Sequence, residues 1–361
     1  MPSLRIGNLE INPPIIQGGM GIRVSRANLA AAVANEGCAG VIAGTGLGRF
    51  EDFPNAKFAE VNNLALRAEV RKARSKTQGI LGVNLLVALT DYESLVKTAA
   101  EENVDLLISG AGLPLQLPAY VGSKDIKLIP IVSSVRTLNI LCKRWKLHHN
   151  RLPDAVIVEG IKAGGHLGYT FEDAISGTDE LEKNVQEIIA YANTFSPSIP
   201  VIVAGGVWGG ADIAHFLRLG ASGVQMATRF VCTQECDVHP NFKKAYLDAR
   251  PEDMTIIKSP VGLPGRVITN AFVEKIKQGH TVPFKCKYHC LKTCDPNTSP
   301  YCIAEVLAKA AEGKLDESFA FAGSNASRCT EIVSVKVLVE QLKAEYSASC
   351  DGQLAEPAAS R

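Results

Sequence analysis

Ala155-Val156-Ile157-Val158-Glu159-Gly160-Ile161-Lys162-Ala163-Gly164-Gly165-His166-Leu167 is the stretch that decides how this chain is read. An apolar run of strand length ends in a carboxylate and passes into a glycine pair followed by a histidine. Without a Cβ, the backbone at Gly164 and Gly165 can press against a flat or anionic ligand. Histidine is the side chain best matched to proton transfer near neutral pH. Related arrangements follow at Val201-Ile202-Val203-Ala204-Gly205-Gly206 and at Gly220-Ala221-Ser222-Gly223-Val224-Gln225-Met226. Repeated strands ending in glycine suggest one ligand held at one end of a parallel sheet.

Short apolar runs predict strands over Pro14–Gln17, Ala39–Ala43, Leu81–Leu86, Leu106–Ser109, Leu128–Val132, Ala155–Glu159, Val201–Ala204 and Gly223–Met226. Helical patterns lie between them at Ser25–Glu36, Asn63–Arg74, Tyr92–Glu102, Val135–Trp145, Asp179–Tyr191 and Gly210–Leu219. Ser25 reads as an N-cap and Gly37 as the residue just past a helix end. Runs apolar on both faces suit a parallel sheet covered by helices. Strands in βα order point to an α/β fold of TIM (β/α)8 barrel type, with an open doubly wound sheet as the alternative. In a barrel the chemistry sits at the carboxyl ends of the strands. Gln17-Gly18-Gly19-Met20, Asn84, Glu159 to His166, Gly205-Gly206 and Gln225 to Thr228 all fall there. A helix start at Gly209-Gly210 would suit a phosphate.

The chain has 361 residues, 46% hydrophobic and 21% charged, enough for a large core. The expected division is a barrel over 1–250, a C-terminal, mostly helical, Cys-rich extension over 251–352, and a disordered tail over 353–361. Helical periodicity in the extension returns at Tyr301–Glu312 and Thr330–Tyr346; the 330–346 helix is the candidate seam for a homodimer. A formal net charge of +1 with no long block of like charge argues against nucleic acid as the main partner. Lys285, Lys287 and Lys292 read as a solvated face or a screen around thiolates. No run approaches the roughly 18–20 apolar residues that span a bilayer, and the N-terminus has no signal-peptide pattern. A cytoplasmic enzyme with a small-molecule substrate is expected.

Ten cysteines in such a chain do not suggest a disulfide framework. Cys286, Cys290, Cys294 and Cys302 crowd into one segment. On a helical turn the first three thiols would share a face, and Cys302 could return to complete four thiolates. Such a set suits an iron–sulfur cluster or structural zinc. An iron–sulfur cluster would bring in an electron-donor protein as a partner. Cys232 and Cys236 form a weaker pair. The alternative is thiols of no shared purpose.

The ordered set Pro14 to Gly21, Gly82-Val83-Asn84, Glu159 to Gly168, Val203 to Gly206 and Gly220 to Phe230, with a weaker match at Gly262 to Arg266 and Asn270 to Phe272, resembles the nitronate monooxygenase (2-nitropropane dioxygenase) family. The FMN-dependent enoyl-ACP reductases are its near relatives. The resemblance implies a TIM barrel with non-covalent FMN. Gly19, Met20, Gly21 and Asn84 would lie along the ring and ribityl chain. Glu159, Gly164, Gly165, Ala204, Gly205, Gly206, Gln225, Met226, Ala227 and Thr228 would complete the cofactor site, and His166 matches the active-site histidine. Lys162 departs from the pattern, since members commonly carry Glu there; the Cys-rich segment is a second departure.

Each site residue also has a plainer reading. His166 could bond a backbone carbonyl, Glu159 could tie down its own loop, and Gly205-Gly206 could serve helix–strand packing. Gly44-Thr45-Gly46-Leu47-Gly48 follows a strand but lacks dinucleotide-fingerprint spacing. His148 and His149 read as surface residues between helix and strand. Three functions compete. In the first, alkyl nitronates are oxidised to a carbonyl compound and nitrite. In the second, NAD(P)H and FMN reduce an enoyl thioester, with Lys162 drawing a substrate phosphate or carboxylate. In the third, the chain is a flavin- or metal-binding sensor.

Overall fold

The computed structural model describes residues 1–49 and 57–354. Eight parallel strands form the barrel: β1 (Ile15–Gln17), β2 (Gly40–Ala43), β3 (Leu81–Leu86), β4 (Leu106–Gly110), β5 (Lys127–Val132), β6 (Val156–Glu159), β7 (Val201–Ala204) and β8 (Gly223–Met226). Their order is β1-β8-β7-β6-β5-β4-β3-β2. The ends meet through Gln17 N–H to Ala39 O (2.9 Å) and Ala39 N–H to Ile15 O (3.0 Å). The buried Gln17 side chain reinforces this seam: its Oε1 accepts from Val41 N–H at 3.0 Å and its Nε2 donates to Gly18 O. The TIM-barrel reading is therefore borne out, and the open sheet is excluded.

Alternation along the strands sorts the apolar residues into two layers. Ile16, Val41, Ile108, Ile129, Ile157 and Ile202 fill the barrel interior. Ile15, Ile42, Val83, Leu107, Leu128 and Val203 belong to the larger core that includes the helices. The interior layer also contains Leu4, Ile6 and Ile11, which come from a hairpin of Leu4–Ile6 and Leu9–Ile11. No reading of the sequence anticipated this hairpin.

Helix limits follow local chemistry. Gly37 ends Ala27–Asn35 as expected, with φ +81° and its N–H on Ala34 O at 3.2 Å. Ser25 is not the N-cap; Arg26 holds that place. Ser25 Oγ instead accepts from Met20 N–H at 2.8 Å and braces the loop after β1. The fifth helix runs Val135–His149, so His148 and His149 lie in its last turn rather than beyond it. Among the described residues no helix is long and apolar enough to cross a membrane.

Beyond the barrel, Met254–Lys258 and Pro264–Ile268 form an antiparallel pair that takes Gly165–His166 as its third strand. The final helix, Val335–Leu354, packs on Gly210–Arg218, where a Cβ on Gly210 would meet Tyr346 N at 2.1 Å. Val335, Leu338, Val339 and Leu342 are each 1% exposed or less. The helix expected to be a dimer seam thus packs these four side chains on its own barrel, while Val337 stays 40% exposed. The helix reaches Leu354, two residues into the tail expected to be disordered; 355–361 lie outside the described residues.

Leu342→Ala should lower stability by about 2–5 kcal/mol, the range for truncating a buried leucine. Urea denaturation would show this as an earlier midpoint; an unchanged midpoint would mean that the helix does not dock there.

Candidate active site

A cavity of about 700 Å³ opens at the carboxyl ends of the strands. Gly19, Met20, Gly21, Asn84, Glu159, Gly164, Gly165, His166, Ala204, Gly205, Gly206, Gln225, Met226, Ala227 and Thr228 all line it. Asn84 lies inside β3 and Gln225 inside β8, while the others lie at strand ends or in the segments beyond them.

The glycines serve different needs. Gly165, at φ +79°, has open space where a Cβ would stand. Gly205, at φ +88°, would push a Cβ to 2.5 Å from Gly160 O, so its bareness lets two strand-end loops touch. Gly164 is pressed against Ala322 and Gly323 in the same way. The close contact at Gly205 is thus between two loops rather than the helix–strand packing expected for it.

Polar groups inside the cavity fit a flat, hydrogen-bonding cofactor. Gln225 Oε1 is buried with no hydrogen-bond partner among the described residues, a costly state unless a ligand donates to it. Asn84 is 8% exposed and lines the cavity. Loop amides near Gly206, Val207 and Thr228 border the cavity and suit an anion. The helix start at Gly209-Gly210 does not: Gly210 N–H donates to Glu345 Oε2 (2.7 Å), while Trp208 and Gly209 N–H both donate to Asp212. A carboxylate already occupies that positive helix end.

Glu159 and His166 both line the cavity, and burial pushes both toward neutrality. Desolvation raises Glu159 to about 7 and lowers His166 to about 4. His166 is held on several sides. Its backbone pairs with Gly265, its Nε2 meets Ser259 Oγ at 2.7 Å, and Phe321 stands edge-on with ring centroids 4.9 Å apart. Arg266 ties down the preceding loop through Ile161 O (3.0 Å) and Ala163 O (3.3 Å). The Lys162 ammonium, half-exposed, pairs with Asp179 at 2.9 Å.

Sequence reading missed the parts that come from the extension. Phe321, Ala322, Gly323 and Asn325 line the cavity, and Asn325 Nδ2 donates to Gly206 O at 2.8 Å. The run Ala322-Gly323-Ser324-Asn325 was the available signal. Val261, Leu263, Leu291, Ile303 and Leu307 add apolar wall.

The four-thiolate site expected from the spacing has no metal-holding arrangement among the described residues. Residues 286–294 are irregular rather than helical, yet the fold still brings the four thiols into one neighbourhood: burial first, and then Cys302, Cys286 and Cys294, push the Cys290 thiol up to about 12. Cys286 Sγ accepts from His289 N–H, Cys294 Sγ contacts Ser299 Oγ, and buried Cys302 starts the helix Ile303–Ala311. Cys290 lines the cavity. Among the described residues, no group of three or more His, Cys, Asp or Glu is arranged to hold a metal ion. Cys232 and Cys236 are buried in the larger core that includes the helices.

Comparison with known proteins agrees with this architecture. The nitronate monooxygenase family model matches residues 3–345. A Mycobacterium tuberculosis protein, (3aS,4S,5R,7aS)-5-hydroxy-7a-methyl-1-oxo-octahydro-1H-indene-4-carboxyl-CoA dehydrogenase, is 29% identical over 75% of this chain and 67% of its own. A probable nitronate monooxygenase of Staphylococcus aureus is 27% identical over 75% and 79%. FabK from Thermotoga maritima superposes with a TM-score of 0.72 at 28% identity, covering 94% of each chain. The chain belongs to the nitronate monooxygenase family and is an FMN-dependent oxidoreductase.

Glu159 gives a signed pH test. A carboxyl raised in the folded state stabilises the fold fully below its unfolded value and loses that contribution as pH rises to about 7. His166 acts oppositely, losing stability as pH falls from 6.5 to about 4. Stability measured relative to Glu159→Gln isolates the first term. The wild type should lose up to ~3 kcal/mol against the variant between pH 4.5 and 7. Parallel stability curves would show that Glu159 titrates normally.

Proposed function

We propose that this member of the family oxidises alkyl nitronates to a carbonyl compound and nitrite, with dioxygen as the final oxidant. The observation that carries this reading is His166, held neutral and rigid in the same cavity as the glycine loops and the orphaned Gln225 oxygen.

Bound FMN would supply electron transfer at its ring. Asn84 and Gln225 would orient it through hydrogen bonds, Gly19, Met20 and Gly21 would border it closely, and loop amides at Gly206 and Thr228 would meet its phosphate. His166 would bond the nitro oxygens of the substrate. In a desolvated cavity that bond is stronger than in water. The apolar wall from Val261, Leu291, Ile303 and Leu307 would exclude water and seat the alkyl chain.

The same wall favours a second reading, reduction of an enoyl thioester with NAD(P)H. The cavity has room for an acyl chain, and the mycobacterial relative is named for a carboxyl-CoA substrate. Lys162, which lines the cavity, would have to share its half-exposed ammonium between Asp179 and a substrate anion.

An anaerobic visible spectrum separates the two. Bleaching of the flavin band by a nitronate, with none by NADPH or NADH, supports nitronate oxidation; bleaching by NADPH supports the reductase. His166→Asn should keep its flavin and lose about 100-fold or more in turnover. Full activity in that variant would remove His166 from the chemistry.

A further inference from the structure

Ser259 lies outside the set of residues that touch the cavity, yet it holds the ring that does. It opens the turn Ser259-Pro260-Val261-Gly262 between the strands Met254–Lys258 and Pro264–Ile268. That turn is closed by Gly262 N–H to Ser259 O (3.0 Å), and Ser259 N–H donates to Leu263 O (3.1 Å). Proline second and glycine fourth suit a type I turn. The hydroxyl is thereby carried on a rigid two-stranded element rather than a free loop.

The hydroxyl has one proton to place. Ser259 is 6% exposed, and its Oγ also receives a long contact from Val261 N–H at 3.5 Å. Among the described residues, His166 Nε2, at 2.7 Å, is the one acceptor that this hydroxyl meets. If Nε2 instead carried the proton, the serine proton would be buried without a partner. In the other tautomer the donor without a protein partner is Nδ1–H. That ring lines the cavity, where solvent or a ligand can accept the proton, so burying the serine proton is the costlier arrangement. Nε2 is therefore the acceptor, and the proton of the neutral ring sits on Nδ1. Nδ1 makes no hydrogen bond to protein among the described residues, and the ring lines the cavity.

We propose that Ser259 is a positioning residue that sets the Nδ1–H tautomer of His166, so that the ring meets substrate as a hydrogen-bond donor to an anionic or carbonyl oxygen rather than as a base. The donor role rests on the reading of His166 given under Proposed function; the tautomer does not. A neutral ring suits this role, since a donor toward an oxygen needs no free lone pair. Charged groups of the surrounding loops are turned elsewhere: Lys162 to Asp179, and Arg266 to the carbonyls of Ile161 and Ala163. Glu159 shares the cavity.

The test is a long-range 15N–1H correlation spectrum of the purified flavoprotein labelled in histidine, with His166 assigned by its loss in His166→Asn. The expected pattern is a pyrrole-type Nδ1 and a pyridine-type Nε2 near pH 7. The reverse pattern overturns the proposal without any variant being made. Ser259→Ala should mix the two tautomers and lower kcat on a nitronate about tenfold with KM little changed, and Ser259→Thr should restore both readouts. An Ala variant with unaltered nitrogen shifts and unaltered kcat overturns the proposal too. The expected nitrogen pattern in a protein that turns over no nitronate would count against the substrate and leave the tautomer standing.

Discussion

Two residues of backbone pairing hold the active end of this molecule together. Gly165 and His166 lie against Arg266 and Gly265, so a segment that leaves the barrel after β6 becomes the third strand of a sheet built by the extension. A two-residue strand is unstable alone. It persists here because Arg266 binds the carbonyls just before it and Leu167 N–H donates to Pro264 O beyond it. Through this ladder the barrel supplies the histidine and the extension supplies its orientation. Neither part makes the site separately.

That division explains what could be read from sequence. Barrel strands announce themselves by short apolar runs, and β3, β7 and β8 fall where the pattern puts them. The residues at those ends had to converge once the barrel closed, because the topology gathers all eight carboxyl ends at one mouth. Ser259, Phe321 and Asn325 carry no such mark. Each is distant along the chain from what it touches, and its role exists only once the extension has docked. Gly209-Gly210 failed for the same reason: a helix start free to bind phosphate looks identical to one closed by Glu345 from a distant helix. Ser25, next to a helix start, found its partner in the loop behind it rather than in the helix ahead.

The cavity is electrically quiet despite the charges around it. Lys162 and Arg266 are committed to protein partners, and desolvation keeps Glu159 and His166 uncharged across the pH range between their shifted values. Such a site discriminates by hydrogen-bond geometry and by apolar contact rather than by net charge. A delocalised anion such as a nitronate spreads its charge over two oxygens and loses less on entering than a compact one. The same quietness admits a neutral thioester, so electrostatics narrows the substrate class without choosing within it.

The cysteine segment is a lesson in the limits of spacing. Thiols three and four apart align only if the backbone is helical, and Lys285 to Pro300 carries too many turn-forming residues for that. Its backbone is fixed instead by the barrel: Thr90 N–H donates to Cys290 O at 3.1 Å, and Lys292 N–H donates to Ala88 O at 2.9 Å. This pairing lays the segment against the loop after β3, with Cys290, Leu291 and Thr293 on the cavity wall. Thr293 Oγ1 also donates to Val261 O, so the segment is tied to the turn that carries Ser259. The four thiols gather there without a metal-holding arrangement among the described residues. Their segment walls in the ligand, and the same contacts brace the turn that orients the histidine.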